Sequence, residues 1–247
     1  MDFSPFTPKQ NVYYLTAENN TFSRLYLIVR DKEQRVLTDA QVKKLPHLNL
    51  YEWRLRKKST ERFANYIASK NTALKILDIG CGNGWFSNKI VEVSDGNEVI
   101  GLDVNREELE QAARIFHKTN LYFVYADIFK ISEFFKAQFD IITLNGSIQY
   151  FENFDVLMSV LKSFLKPKGE IHIIDSPFYK ASEISMAKER TKAYYTKLGV
   201  PEMAANYFHH SISEIKEFEV LYKYKNKIIN KVLRKKDSPF SWYRYTK

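Results

Sequence analysis

"LDIGCGNGWFS", Leu77 to Ser87, concentrates three of the chain's eight glycines within five positions. It joins "ALKILDI" (73–79), which reads as a buried strand, to "WFSNKIVEVS" (85–94), which reads as a short helix. Glycine in such a turn adopts positive φ at little cost and lets a ligand approach the main chain. In an open α/β sheet, ligands bind beyond the carboxyl ends of the strands, where strand order reverses. The G-x-G-x-G spacing of Gly80, Gly82 and Gly84 therefore marks a candidate binding loop, and an acid, Asp78, stands two residues before it.

Outward from this turn the chain alternates. "EVIGLDV" (98–104), "LYFVYAD" (121–127), "FDIITLN" (139–145) and "EIHIID" (170–175) read as further strands. Asn105 with Glu108 three residues on is a helix-start signature of the capping-box kind. "FDVLMSVLKSFLK" (154–166) has helical spacing and stops before Pro167. The alternation predicts an α/β fold with a doubly wound, mostly parallel sheet. After Pro177, residues 180–208 read as a helical cap, "SISE" (211–214) as a capping box opening a short helix, and "FEVLYKY" (218–224) with "FSWYRYT" (240–246) as a late antiparallel edge pair. Residues 50–69 are helical by pattern, whereas 1–48 read as irregular apart from "RLYLIVR" (24–30), a short helix or strand. The expected division is a helical amino-terminal arm, 1–64, packed on a catalytic domain, 65–247, whose helical cap spans about 180–212 before the last two strands.

Composition narrows the setting. A chain of 247 residues with 45% apolar content suits one large globular domain. No stretch approaches the ~20 apolar residues of a membrane span, and "MDFSPFTPKQ" lacks the layout of a secretory signal. The single Cys81 excludes an intramolecular disulfide and a cysteine-based zinc site, so no metal centre is expected. A cytoplasmic protein is expected. The net charge of +9 divides unevenly: +5 over residues 1–60, −4 over 61–178 and +8 over 179–247. Basic flanks around an acidic centre suit either lysines on solvated helix faces or an anionic partner such as nucleic acid.

Three ligand classes compete for the glycine loop. A P-loop ends in G-K-[S/T], and "GNGWFS" has no lysine. A dinucleotide fingerprint needs a small residue where this chain has Trp85, and Asp78 would repel a pyrophosphate. The same acid suits a ligand with cationic groups and no phosphate. "LDIGCGNGWFS" resembles the first motif of the class I S-adenosylmethionine-dependent methyltransferases, acid-x-G-x-G-x-G. The resemblance covers about residues 65–178 and implies S-adenosylmethionine as cofactor, with S-adenosylhomocysteine as product. It implies that Asp78, Gly80, Cys81, Gly82 and Gly84 surround the methionine end. Asp103 and Val104 would meet the ribose, Asp127 and Ile128 the adenine, and Asn145 the methyl end.

The acceptor side is less marked. His209 and His210, two of five histidines, precede the Ser211 capping box and are candidate bases, with Tyr150 and Asp175 as further catalytic candidates. Gln149 and Tyr179 are candidate acceptor contacts, and Tyr13 and Tyr14, in "VYYLTAENNTF" (12–22), candidates for a lid over the cofactor. The leading expectation is methyl transfer to a small-molecule acceptor. A tRNA or rRNA methyltransferase using the basic flanks, a non-catalytic partner protein with a retained cofactor fold, and an aminopropyl transferase are the alternatives. "NGSIQYF" stands where the (Asn/Asp)-Pro-Pro-(Tyr/Phe) motif of amino-nitrogen methylation would be. Acceptor identity and oligomeric state are not encoded in any of these motifs.

Overall fold

The computed structural model describes residues 3–224 and 237–247. Five parallel strands grow from the apolar runs: β2 (Lys75–Ile79), β3 (Glu98–Asp103), β4 (Leu121–Tyr125), β5 (Phe139–Asn145) and β6 (Leu165–Ile174). A further strand, β1 (Val12–Tyr14), pairs parallel with β4 at one edge. At the other edge β7 (Glu219–Tyr222) and β8 (Trp242–Thr246) run antiparallel, with β8 inserted beside β6. The sheet order is β1-β4-β3-β2-β5-β6-β8-β7. The chain runs outward from β2 to β3 and β4, then returns to β5 on the other side of β2. That reversal places a crevice at the carboxyl ends of β2 and β5, beside the glycine loop.

Alternate residues of each strand serve opposite faces. Leu77 and Ile79 pack with Ile100, Leu144 and, from α6 (Phe154–Phe164), Leu157 and Leu161. Ile76 faces the other way, into a cluster with Trp53 and Phe63 of α3 (Tyr51–Ala68), Phe86 of α4 (Trp85–Val91) and Leu109 of α5 (Arg106–Ile115). Helices on both faces make the sheet doubly wound, as the alternation predicts. The helix starts follow local chemistry. The Asn105 and Asn153 side chains accept from the amides of Glu108 and Val156, at 3.3 and 3.0 Å, and so satisfy first-turn N–H groups of α5 and α6. Past β6, α7 (Ala181–Leu198) ends on Gly199 in the left-handed conformation, and a 3-10 turn follows over Pro201–Asn206.

The structure corrects the sequence in three places. Residues 1–48 are not irregular: besides β1 they form α1 (Asn20–Lys32), which settles "RLYLIVR" as helix, and α2 (Asp39–Val42). β6 starts at Leu165, earlier than expected, because its register with β5 shifts between Phe139 and Ile141 and leaves the residues around Pro167 and Gly169 as an irregularity within β6. "SISE" opens a turn and no helix. The Ser211 amide does donate to the Glu214 carboxylate, but the Ser211 hydroxyl pairs with that of Ser213 at 2.8 Å and leaves the Glu214 amide to the Ser211 carbonyl.

Candidate functional site

Two adjoining cavities occupy the crevice. The smaller, about 160 Å³, is walled by Leu102, Val104, Ile128, Phe129 and Phe151 and carries three carboxylates, Asp103, Glu108 and Asp127. Among the described residues, no lysine, arginine or histidine lines it. A phosphate would meet net negative charge here, since of the three carboxylates only Asp127 has an ion-pair partner among the described residues, whereas a neutral nucleoside attached to a cation would not. Asp103 ends β3 and is fixed by the main chain: Gly82 N–H donates to it at 2.8 Å, Val104 N–H at 2.7 Å and Asn105 N–H at 2.8 Å. Burial nevertheless pushes its carboxyl above the ordinary range, opposed by those donors. Asp127 caps the 3-10 turn Ile128–Lys130 by accepting from Phe129 N–H, and it pairs with Lys130 at 3.2 Å.

Glu108 lines both cavities. In a complete capping box its carboxylate would accept from the Asn105 amide, but that amide donates to Asp103. The Glu108 carboxylate is therefore released toward the glycine loop, 3.0 Å from where a Cβ on Gly82 would lie. Burial and the neighbouring Asp103 charge push its carboxyl up to about 7. Asp78, at the end of β2, is buried and accepts from the hydroxyls of Ser87 at 2.6 Å and Thr143 at 2.8 Å. Burial outweighs those bonds and holds its carboxyl at about 6. Gly84 plays a different part from its two companions. A Cβ there would lie 2.5 Å from the Phe123 ring and 2.7 Å from the Ala112 Cβ, so this glycine lets the start of α4 sit against β4 and α5 and lines neither cavity.

The larger cavity, about 590 Å³, opens beyond Asp78, Cys81, Asn145 and Gly146 toward α1, α3 and α7. Tyr26, Tyr150, Tyr179, Tyr195 and Tyr207 supply an aromatic wall, and Arg30, Arg35, Arg56 and Arg190 face the same space. Three side-chain oxygens at its edge, Asn83 Oδ1, Asn145 Oδ1 and Gln149 Oε1, are buried without a partner among the described residues. Unpaired buried acceptors of this kind are costly and call for a donor such as an ammonium group. Asp175 also lines the cavity, its Oδ1 accepting from Ser59 and Ser238, each at 2.7 Å.

The crevice gathers Asp78, Gly80, Cys81, Gly82, Asp103, Val104, Asp127, Ile128 and Asn145 as expected, along with Gln149, Tyr150, Asp175 and Tyr179. Cys81 is buried with its thiol pushed up, so it is a packing residue and no nucleophile. The two histidines part company. His209 Nε2 lies 2.8 Å from the Thr191 hydroxyl, which lines the larger cavity, and its Nδ1 is buried without a partner among the described residues. Burial lowers its pKa, so it is neutral at pH 7. His210 instead packs against Phe154 and Phe178, with Nε2 3.1 Å from the Ile148 carbonyl, and lines neither cavity. Tyr13 and Tyr14 also lie away from both cavities, because β1 commits them to the sheet edge, where Tyr14 stacks on Tyr125. The covering element is α1, through Phe22, Tyr26 and Arg30. Sequence reading missed Glu108 as a cavity residue, and all four arginines. Only the conflict between Glu108 as cap and Asp103 as neighbour could have exposed the first.

Known proteins match this arrangement. The profile of the family described as "Methyltransferase domain" matches residues 70–236. Malonyl-[acyl-carrier protein] O-methyltransferase 2 of Ilyobacter polytropus is 30% identical over 118 residues, 47% of this chain and 45% of that protein. The ubiquinone biosynthesis O-methyltransferase of Pasteurella multocida is 29% identical over 122 residues, 43% of this chain and 49% of that protein. The chain thus spans about half the length of the curated relatives it matches. Among solved structures, the YcgJ protein of Bacillus subtilis superposes with a TM-score of 0.50 at 17% identity over 66% of this chain and 72% of that one. The CurJ carbon methyltransferase gives 0.50 at 14% identity over 70% of this chain and 48% of that one; both likenesses concern the fold. By the extent of the family match, the chain belongs to the methyltransferase-domain family.

Proposed function

We propose that the chain transfers a methyl group to an oxygen of a small acceptor, free or tethered to a carrier, that enters the larger cavity. The observation that carries the reading is the pairing of a phosphate-excluding nucleoside cavity, lined among the described residues by three carboxylates and no cationic side chain, with a roomy polar-aromatic one. Oxygen as the acceptor atom is supported by the names of the relatives from Ilyobacter and Pasteurella.

In this reading Asp103 receives the ribose hydroxyls, Ile128 and Phe129 flank the adenine, and Asp127 meets its amino group. Asn145, Gln149 and Asn83 accept from the methionine ammonium, and Glu108 and Asp78 favour its positive charge. When bound, S-adenosylmethionine supplies an electrophilic methyl on a sulfonium, and the C–S bond breaks as the C–O bond forms, leaving S-adenosylhomocysteine. The chain's own work is alignment and exclusion of water. α1 covers the crevice, Tyr150 divides the cavities, and the Thr191 hydroxyl takes the proton of a hydroxyl acceptor as it passes its own to Nε2 of neutral His209. His209 is then the terminal proton acceptor, acting through Thr191. The proposed division stays 1–64 as arm and 65–247 as catalytic domain; the family match from residue 70 supports it. A cytoplasmic setting remains part of the proposal. Among the described residues no helix is long and apolar enough to cross a membrane.

The test is transfer of radiolabel from methyl-labelled S-adenosylmethionine to a panel of hydroxyl and carboxylate acceptors, free and carrier-linked. Label in an ester or ether, with one S-adenosylhomocysteine per methyl, supports the proposal. Label confined to nitrogen or carbon acceptors contradicts it. Label in RNA, with binding that falls steeply with salt, favours the nucleic-acid reading of the basic flanks.

A further inference from the structure

Four arginines and five carboxylates line the larger cavity, but the ion pairing leaves two of the guanidiniums without a partner among the described residues. Arg35 pairs with both Glu33, at 3.3 Å, and Glu52, and Arg56 Nε donates to Glu52 at 2.9 Å. Two carboxylates therefore serve two guanidiniums, and the ion pairing is complete without Arg30 and Arg190. Neither of those has a carboxylate within ion-pair distance among the described residues, and Arg30 Nε is buried without a partner. Arg56 is only half used by Glu52. Its Nη1 and Nη2 lie 3.5 and 3.6 Å from where a Cβ on Gly146 would be, at the carboxyl end of β5 and on the wall of this cavity. They take no hydrogen bond among the described residues, although Asp175 is near enough for its charge to be felt.

The remaining acids, Asp78, Glu108 and Asp175, offset this charge overall but form no ion pair with Arg30 or Arg190 among the described residues. Asp78 has both oxygens engaged by Ser87 and Thr143, and Asp175 accepts from Ser59 and Ser238 through Oδ1, while its Oδ2 has no hydrogen-bond partner among the described residues. Glu108 lies on the boundary with the nucleoside cavity, where a sulfonium-bearing cofactor would take up its charge. Once the cofactor is in place, the acceptor side is left with guanidinium groups facing an aromatic wall of Tyr179, Tyr195 and Tyr207. A guanidinium held without a carboxylate in a confined cavity is a site for a planar or tetrahedral oxyanion.

We propose that the acceptor is an oxyanion-bearing molecule with a flat apolar body, its charged group bound by Arg56 and Arg190 with Arg30 behind them, and its body lying on the tyrosine wall. This deepens the methyltransferase reading and rests on it. It makes charge the specificity determinant: a neutral analogue of the same shape leaves the guanidiniums unpaired, and a cationic one is repelled.

The experiment is calorimetric binding to protein saturated with S-adenosylhomocysteine, using matched probes: benzoate against benzamide, 4-hydroxyphenylacetate against its amide, and phenyl phosphate. At least one acid should bind ten-fold or more tightly than its amide. Arg190→Met, an exposed α7 substitution that removes no ion pair among the described residues, should erase most of that preference and leave S-adenosylhomocysteine affinity unchanged. Arg56→Lys, which keeps the charge but not the fork, should retain part of it. Preference for phenyl phosphate over both carboxylates would assign the oxyanion as phosphate. Equal binding of acids and amides, no binding of any anion to the loaded protein, or an unchanged preference in Arg190→Met would overturn the proposal. Failure of wild-type protein to bind S-adenosylhomocysteine would instead defeat the cofactor reading beneath it.

Discussion

Glu108→Gln offers a quantitative test of how the site recognises a cation. The Glu108 carboxyl stands at about 7 against an ordinary value of 4.5. The folded protein therefore binds a proton more tightly than the unfolded chain between those values, and stability falls as pH rises from 4.5 to 7. The full shift corresponds to about 3 kcal/mol, an upper bound that solvent contact at this half-buried side chain lowers. Glu108→Gln should remove this dependence and, without ligand, be more stable than wild type at pH 8. Ligand binding runs the other way. A sulfonium and an ammonium beside Glu108 favour its ionised form, so S-adenosylmethionine should expel the proton. At pH 7 the release is about 0.5 proton per cofactor, rising to about 0.9 at pH 6 and falling to about 0.1 at pH 8. Calorimetry in two buffers of different ionisation enthalpy reads this number directly, and the Gln variant, which retains the Asp78 contribution, provides the subtraction. Equal proton release by wild type and variant at pH 7, or a variant less stable than wild type at pH 8, would refute the placement of Glu108 against the cofactor's charge.

Other substitutions separate packing from binding. Gly84→Ala forces a Cβ to within 2.5 Å of Phe123 at a φ of +71°, so a loss of about 2–4 kcal/mol is expected in denaturant unfolding. Asp103→Ala should weaken S-adenosylhomocysteine binding at least ten-fold, read by titration, because it removes the ribose acceptor that three backbone N–H groups hold in place. His209→Ala should lower kcat for hydroxyl acceptors with little change in KM and flatten the pH profile, whereas His210→Ala should mainly lower Tm, since that ring packs between Phe154 and Phe178. Glu170→Gln should destabilise far from the crevice. Its carboxyl lies at about 2, below the ordinary 4.5, held by His172, Lys70 and Tyr66, so the stability it contributes is present above pH 4.5 and lost as pH falls toward 2.

The fold was legible because each strand of the centre is a self-contained apolar run with its acid or asparagine at the carboxyl end. Spacing put Asp78, Asp103 and Asn145 at strand ends, and the resemblance to the class I methyltransferases implied their places around the cofactor. What escaped notice depends on contacts distant in sequence. β1 is three residues long, and its pairing with β4 arises from residues more than a hundred positions away. Tyr13 and Tyr14, read as a lid, are thereby held in the sheet, and α1 takes the covering position. His209 and His210 are neighbours with the same signal in sequence. One meets Thr191 and the other the Ile148 carbonyl, a difference set by how the 3-10 turn after α7 returns to the sheet. The four arginines came from three separate helices or their flanks, and isolated arginines on amphipathic segments do not announce a shared cavity.

The central claim is that the crevice binds S-adenosylmethionine. Calorimetric titration of the intact protein with S-adenosylmethionine, S-adenosylhomocysteine and NAD tests it most directly. The account predicts micromolar binding of the first two, about −8 kcal/mol, weakened by Asp103→Ala, and none of NAD, whose pyrophosphate would face a cavity lined, among the described residues, by three carboxylates and no cationic side chain. Binding of NAD, or binding of S-adenosylmethionine that is indifferent to Asp103, would contradict it.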